Sequence, residues 1–215
     1  MTANHSPMTR TFTRFSGWCA VLAAASSLVF TVAFSVVVQE GERWAQWVSA
    51  VALTAGALVT LPVLVALHAR LREPEAQFAL VGLLLGVGGV ISTAIHGSFD
   101  IANLSNPGKP DLSELPNAID PRGFMTFAVT GLALLVFGWL GTRTGGIPTV
   151  VARFALLAGV LLLVLYFGRL TVLNPKTNVI KATALVQGLV VSPAFFLGLG
   201  RSLLRESPAM RGSVP

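Results

Sequence analysis

Charged residues are scarce in this chain of 215 residues, and their scarcity excludes an ordinary soluble domain. Only 11% of the residues are charged and 53% are hydrophobic, whereas soluble domains carry roughly 25% charged residues. Mean hydropathy is +0.74. Six stretches have no Asp, Glu, Lys or Arg: 15–39, 44–69, 76–99, 123–142, 154–168 and 182–200. Each is close to the roughly 20 apolar residues of a membrane-spanning helix, so the sequence predicts six such helices.

Cysteine is almost absent, and so are the common catalytic motifs. Cys19 is the only cysteine, which excludes an intramolecular disulfide and a cysteine metal cluster. A zinc site needs three or four ligands, but His5 and His68 lie far from His96 along the predicted topology, so we expect no metal. The chain lacks G-x-S-x-G, H-E-x-x-H, a Walker loop and a dinucleotide fingerprint, and we expect no cofactor. It also lacks a basic run with interleaved aromatic residues, so we expect no nucleic-acid partner.

The distribution of basic residues predicts the orientation in the membrane. If the N-terminus is cytoplasmic, nine Lys and Arg residues fall on the inside and six on the outside, which agrees with the positive-inside rule. We therefore expect both termini to be cytoplasmic in a multi-pass protein of the cell membrane. The net charge of +6 then lies at the inner surface, where arginines meet anionic lipids. Membrane lipids are the partners that composition predicts.

The predicted fold class is all-α, a polytopic bundle of six transmembrane helices. The first apolar run continues to Val38, beyond the roughly 7–15 residues of a signal-peptide core, so we expect it to be a retained helix. The predicted domains are a cytoplasmic tail (1–14), a transmembrane domain (15–203) with an outer loop (104–122), and a second cytoplasmic tail (204–215). The helices are expected at about 15–38, 44–69, 76–103, 123–142, 149–173 and 178–203. Short connections predict antiparallel packing of sequential helices.

The third predicted helix carries two features on its surface. Gly82, Gly86 and Gly89 form a stripe of small residues that lets another helix approach closely. Further along, in IHGSFDIANL, His96, Asp100 and Asn103 have i, i+4 and i+7 spacing and so share one face. Ionisable groups inside a span pair with one another or line a polar cavity. One alternative is that this face is merely the hydrated end of the helix.

Three sequence segments resemble a known family: HGSFDIANLSNP, LPNAIDPRGFMTFAVTGLALLVFGWL and LLLVLYFGRLTVLNP. They are similar to small, mostly actinobacterial multi-pass membrane proteins of unknown function, the DUF4386-like group. The resemblance covers roughly residues 80–200. It implies membership of a membrane-protein family but no particular activity, and its residues are His96, Asp100, Asn103, Asp120, Pro121, Arg122, Gly123 and Arg169.

Two functional classes remain open from the sequence. In the first, a polar pocket near the outer leaflet binds or passes a small or amphiphilic ligand. Its candidate ligand-binding residues are His96, Asp100, Asn103, Arg122, Arg169 and Lys181. In the second, the pocket is a membrane-embedded acid–base enzyme for a lipophilic substrate. Asp100, held by His96, would then be the catalytic proton donor, as in terpene-cyclase-type protonation. Association into a homo-oligomer also stays open, because transporters of this size commonly dimerise.

Overall fold

The computed structural model describes residues 8–37, 42–73, 75–106, 123–172 and 178–205, and at positions 36 and 169–172 it describes the backbone alone. Within these ranges all regular structure is helical, which confirms the all-α class. We number the six helices in chain order. Helix α1 comprises Arg10–Val32 and a π-helical turn at Ala33–Val37, and the others are α2 (Arg43–Leu71), α3 (Ala76–Ser105), α4 (Phe124–Thr144), α5 (Thr149–Val172) and α6 (Asn178–Arg205).

All six helices are long and apolar enough to cross a bilayer. Their best windows have mean hydropathies between 1.7 and 2.5 in the described part of the chain. The chain is therefore a multi-pass membrane protein, as the gaps between charges predict. The orientation of the termini stays a prediction.

The helix bounds differ slightly from the expected ones. Helix α1 begins at Arg10, before the predicted start at 15, because Thr9 caps it by accepting a hydrogen bond from the Phe12 backbone N–H at 3.3 Å. Helix α3 continues to Ser105, slightly into the predicted loop 104–122, most of which lies outside the described residues.

The helices form a closed ring in chain order. Each helix packs against the next one in the sequence, and α6 packs back against α1. Helices α1, α3 and α5 end on the same side of the bundle, which we call the His96 end. We call the opposite side the Arg70 end. On the predicted orientation, the His96 end is the outer one.

Glycine allows several of these helices to approach closely. An ideal Cβ on Gly159 of α5 would lie 2.7 Å from the backbone oxygen of Gly131 in α4. Similarly, a Cβ on Gly200 of α6 would lie 2.9 Å from the backbone oxygen of Gly17 in α1. Side chains at these positions would push the helices apart, which is the packing mode that small residues provide in membranes.

The two ends of the bundle are packed differently. The largest fully buried side chains include Leu67, Leu71, Phe137 and Leu203, all of which lie toward the Arg70 end. Toward the His96 end, a smaller cluster contains Leu162, Leu165 and Ile180. The main apolar core therefore occupies the Arg70 half and supports the polar half above it.

The described helices contain three π-helical turns, all toward the His96 end. They are Ala33–Val37 at the end of α1, Phe124–Val129 at the start of α4 and Gln187–Val191 in the first half of α6. A π-turn replaces i→i+4 backbone bonds by i→i+5 bonds and is often found at functional sites. The apolar pattern of the sequence gives no sign of these turns.

Candidate functional site

The candidate site is built on a stripe along α3 in which glycines are followed by polar residues. His96, Asp100 and Asn103 are half-buried, while Ile95 and Phe99, which lie between them in sequence, are 58% and 37% exposed. These three residues, which we call the polar stripe, thus face the bundle more than the lipid. The polar stripe is the last part of a longer row of small and polar residues along the same side of α3. From the Arg70 end to the His96 end, this row is Gly82, Gly86, Gly89, Thr93, His96, Asp100 and Asn103.

Helix α4 faces two of the glycines on this side of α3, Gly82 and Gly89, whereas Gly86 faces α2, where its ideal Cβ would lie 2.9 Å from a methyl carbon of Leu64. An ideal Cβ on Gly82 would lie 3.0 Å from the Phe137 ring. One on Gly89 would meet the Thr130 hydroxyl and lie 3.2 Å from the Met125 backbone oxygen. The glycine stripe is therefore a helix-packing surface, as its sequence predicts. Because the helices are antiparallel, the polar stripe continues from this contact toward the first turns of α4.

Two hydroxyl groups occupy those first turns of α4. Thr126 is 8% exposed and Thr130 is half-buried. Their Oγ1 atoms are buried and have no hydrogen-bond partner among the residues that the structure describes. Buried hydroxyls are normally paired, so this part of α4 offers two groups that can bind a ligand or water.

Both hydroxyls lie at a π-helical turn, and neither has a partner in the described part of the chain. Elsewhere in the bundle, threonines donate to the backbone oxygen four residues earlier, as Thr54 does to Ala50 at 3.0 Å and Thr93 does to Gly89 at 2.8 Å. In α4, Thr126 lies within the π-helical segment and Thr130 directly follows it. For Thr130 the usual acceptor is the Thr126 carbonyl, which belongs to the π-helical segment, and the changed backbone register there agrees with the missing bond.

The remaining predicted site residues are placed differently. Lys181 is exposed on the first part of α6, a helix that packs against α5 and α1 on the other side of the ring from α3. Arg122 lies outside the described residues, and only the backbone of Arg169 is described, in α5. The structure therefore brings His96, Asp100 and Asn103 together on one stripe, and Lys181 is not adjacent to it. Ligand contacts of the three basic residues stay predictions.

A second buried polar group, which sequence reasoning missed, lies between α1 and α6. Gln187 is 6% exposed, and its Nε2 donates to the Ser192 hydroxyl at 3.0 Å. Nearby, the Ser27 hydroxyl of α1 donates to the Gly188 backbone oxygen at 3.2 Å. A Cβ on Gly188 would collide with the Thr31 hydroxyl. The Ser27 bond and the close approach of Gly188 to Thr31 join α1 to α6 at the closure of the ring, whereas the Gln187–Ser192 bond lies within α6.

An apolar groove of about 450 Å³ lies between α2 and α3. Successive residues are about 100° apart around an α-helix, so Ile91, Ile95 and Ala102 in the groove lie on the other side of α3 from His96 and Asp100. The groove is therefore separate from the polar stripe. Its lining is Leu58, Leu61, Val90, Ile91, Ala94, Ile95, Ser98, Phe99 and Ala102.

Acidic, histidine and cysteine side chains do not gather into a metal-binding group of three within the described ranges. Fold and sequence thus define a six-helix membrane protein whose third helix carries a stripe of half-buried polar residues. No protein-family model, curated protein or solved structure matches the chain. The resemblance to DUF4386-like membrane proteins therefore stays a prediction.

Proposed function

We propose that this membrane protein binds a small or amphiphilic ligand at the α3–α4 seam of the His96 end. One observation carries the proposal. Two ionisable residues of a membrane-spanning helix, His96 and Asp100, lie on the same side of α3 as Gly82 and Gly89, which contact α4, and the hydroxyls of Thr126 and Thr130 in the first turns of α4 have no hydrogen-bond partner among the described residues. Ionisable residues inside spans are costly and typically mark ligand or ion pathways.

The chemistry of these groups favours a ligand that carries hydroxyl or amine groups. A carboxylate accepts hydrogen bonds, and a neutral imidazole both donates and accepts. Threonine hydroxyls can do either, so the seam can match a ligand that presents donors together with acceptors. Charge-assisted hydrogen bonds to Asp100 would be the strongest of these contacts.

The acid–base enzyme is the second candidate, and an aromatic cluster supports it. The rings of Phe124 and Tyr166 are 5.5 Å apart, and those of Tyr166 and Phe167 are 5.3 Å apart. Such faces stabilise cations. However, the apolar groove that could hold a long substrate lies on the other side of α3 from Asp100. Ligand binding therefore explains more of the observed arrangement.

A thermal-shift screen tests the proposal with purified protein and a panel of amines, polyols and single-chain amphiphiles. A ligand at 100 times its Kd adds about 2.7 kcal/mol to the free energy of unfolding, which corresponds to a rise in Tm of about 5–10 °C for a chain of this length. We expect Asp100→Asn and His96→Gln to abolish the rise.

Glu42→Gln is the matched control. Glu42 is an exposed carboxylate at the same end of the bundle, and it precedes α2 instead of lying on the α3–α4 seam. Its substitution should leave the rise in Tm unchanged. A rise that survives both Asp100→Asn and His96→Gln would place the ligand elsewhere and contradict the proposal.

A further inference from the structure

The groove between α2 and α3 has the dimensions of a site for one lipid chain. Its α3 wall extends from Val90 to Ala102, which at 1.5 Å per residue is about 18 Å. One leaflet supplies about half of the roughly 30 Å hydrocarbon core, or about 15 Å. The volume of about 450 Å³ also lies within the range of small-molecule sites. A chain from the leaflet at the His96 end would therefore fill the groove along its length.

The groove is open toward the lipid. Leu58 on the α2 wall is 54% exposed, and Ile91 and Ile95 on the α3 wall are 50% and 58% exposed. Ser98 is the single polar residue of the lining. The groove therefore presents an apolar surface that is accessible from the side of the bundle.

A cation lies just above the groove. Arg43, the first residue of α2, donates from Nη2 to the backbone oxygen of Leu104 in α3 at 3.4 Å. Leu104 is only two residues beyond Ala102, where the groove ends. Arg43 is also about five helical turns before Leu61, which places both on the same face of α2. Its guanidinium has five N–H donors, and the bond to Leu104 uses one of them, which within the described residues leaves donors for a headgroup.

Charge complementarity identifies the headgroup as an anion. Arg43 is exposed, and guanidinium groups bind phosphate through paired hydrogen bonds. Glu42 is adjacent in sequence, but it is the residue that precedes α2, whereas Arg43 contacts α3. Asp100 lies on the other side of α3 from the groove. We propose that the α2–α3 groove binds an anionic phospholipid. One acyl chain lies in the groove between Leu58 and Leu61 of α2 and the Val90–Ala102 wall of α3, and the phosphate lies at Arg43.

Native mass spectrometry and thermal unfolding of the full chain in detergent test this site. The probes are phosphatidylglycerol and phosphatidylcholine with identical acyl chains. Phosphatidylglycerol should bind more tightly and raise Tm more. Arg43→Gln should weaken its binding about tenfold, because a hydrogen bond between charged groups is lost, while Arg43→Lys should keep most of the affinity.

Matched controls separate the site from general lipid contact. Lys181→Gln removes an exposed cation at the same end of the bundle, and it should leave phosphatidylglycerol binding unchanged. Ala102→Phe fills the top of the groove from an exposed position and should weaken both lipids, whereas Ala182→Phe, exposed on α6, should not.

Three results would overturn the proposal: equal binding of the two lipids, equal losses from Arg43→Gln and Lys181→Gln, or full binding by the Ala102→Phe protein. The polar stripe is not altered in any of these variants. A negative result for the lipid site can therefore be told apart from a negative result for the proposed ligand binding, which depends on Asp100 and His96.

Discussion

The neighbouring glycines Gly88 and Gly89 allow a direct test of the α3–α4 seam. Both lie in the middle of α3, but their surroundings differ. A Cβ on Gly88 would lie 3.4 Å from the terminal methyl of Met125, an ordinary contact with a flexible side chain. A Cβ on Gly89 would meet the Thr130 hydroxyl and lie 3.1 Å from the Thr130 backbone nitrogen. Only Gly89→Ala therefore needs the backbone of α4 to move.

The expected difference follows from this contact. Both substitutions replace glycine by alanine in the same helix, so the change in helix propensity, about 1 kcal/mol in favour of alanine, is nearly the same in each. Overpacking typically costs about 1–3 kcal/mol. We therefore expect the Gly89→Ala protein to be about 1–3 kcal/mol less stable than the Gly88→Ala protein. At about 1.4 kcal/mol per factor of ten, this changes the unfolding equilibrium constant by about 5-fold to 150-fold.

Denaturant titration of the purified proteins in micelles measures this difference. The four tryptophans of the chain provide the fluorescence signal. Thr130→Ala combined with Gly89→Ala should recover part of the loss, because it removes the hydroxyl but leaves the backbone contacts. Equal stability of the Gly88→Ala and Gly89→Ala proteins would show that α3 and α4 do not meet at this seam.

Three further predictions concern other parts of the bundle. Gly188→Ala should lower the free energy of unfolding by about 2–4 kcal/mol in a denaturant titration, because the new Cβ collides with Thr31 and the hydrogen bond from Ser27 to the Gly188 backbone is lost. Unchanged stability would contradict the observed closure of the ring. Thr126→Val should not lower stability, because a buried hydroxyl without a described partner carries a desolvation cost that valine removes, yet it should reduce the ligand-dependent rise in Tm. A loss of stability without ligand would show that the hydroxyl is paired. Single cysteines can be placed at the exposed positions Ser105 and Thr142 in a cysteine-free background. In intact cells, an impermeant thiol reagent should label the cysteine at position 105 and not the one at position 142, and labelling at position 142 would reverse the orientation.

The six helices could be predicted because the membrane imposes a simple pattern on the sequence. A span needs about 20 residues without exposed charge, and the third charge-free stretch, 76–99, lies within Ala76–Ser105. The short fifth stretch, 154–168, lies within the longer helix Thr149–Val172. In general, an arginine near the end of a span can reach the headgroups through its long stem, so a helix can extend beyond its charge-free stretch. The π-helical turns could not be predicted, since they change backbone bonding without changing which residues are apolar.

The polar face of α3 was predictable from the sequence, whereas the buried hydroxyls of α4 were not. His96, Asp100 and Asn103 share a face through their spacing alone, and the structure places that face toward the bundle. Thr126 and Thr130 also have i, i+4 spacing, but threonines in apolar helices usually bond to their own backbone. At the π-turn of α4, neither hydroxyl has a partner among the described residues. The apolar groove could not be predicted from the sequence either, because it depends on how α2 and α3 pack against each other.

The unequal packing of the two ends separates residues that control folding from those that control binding. At the Arg70 end, Leu71 and Phe137 are completely buried, and large-to-small substitutions there cost about 2–5 kcal/mol. At the His96 end, unpaired hydroxyls and π-turns remain because the apolar core below them supplies the stability. A hydroxyl that contributes little to folding is free to contribute to ligand affinity. Variants at Thr126 should therefore change ligand binding at nearly constant fold, whereas variants at Leu71 should lower the amount of folded protein without altering the affinity of what remains.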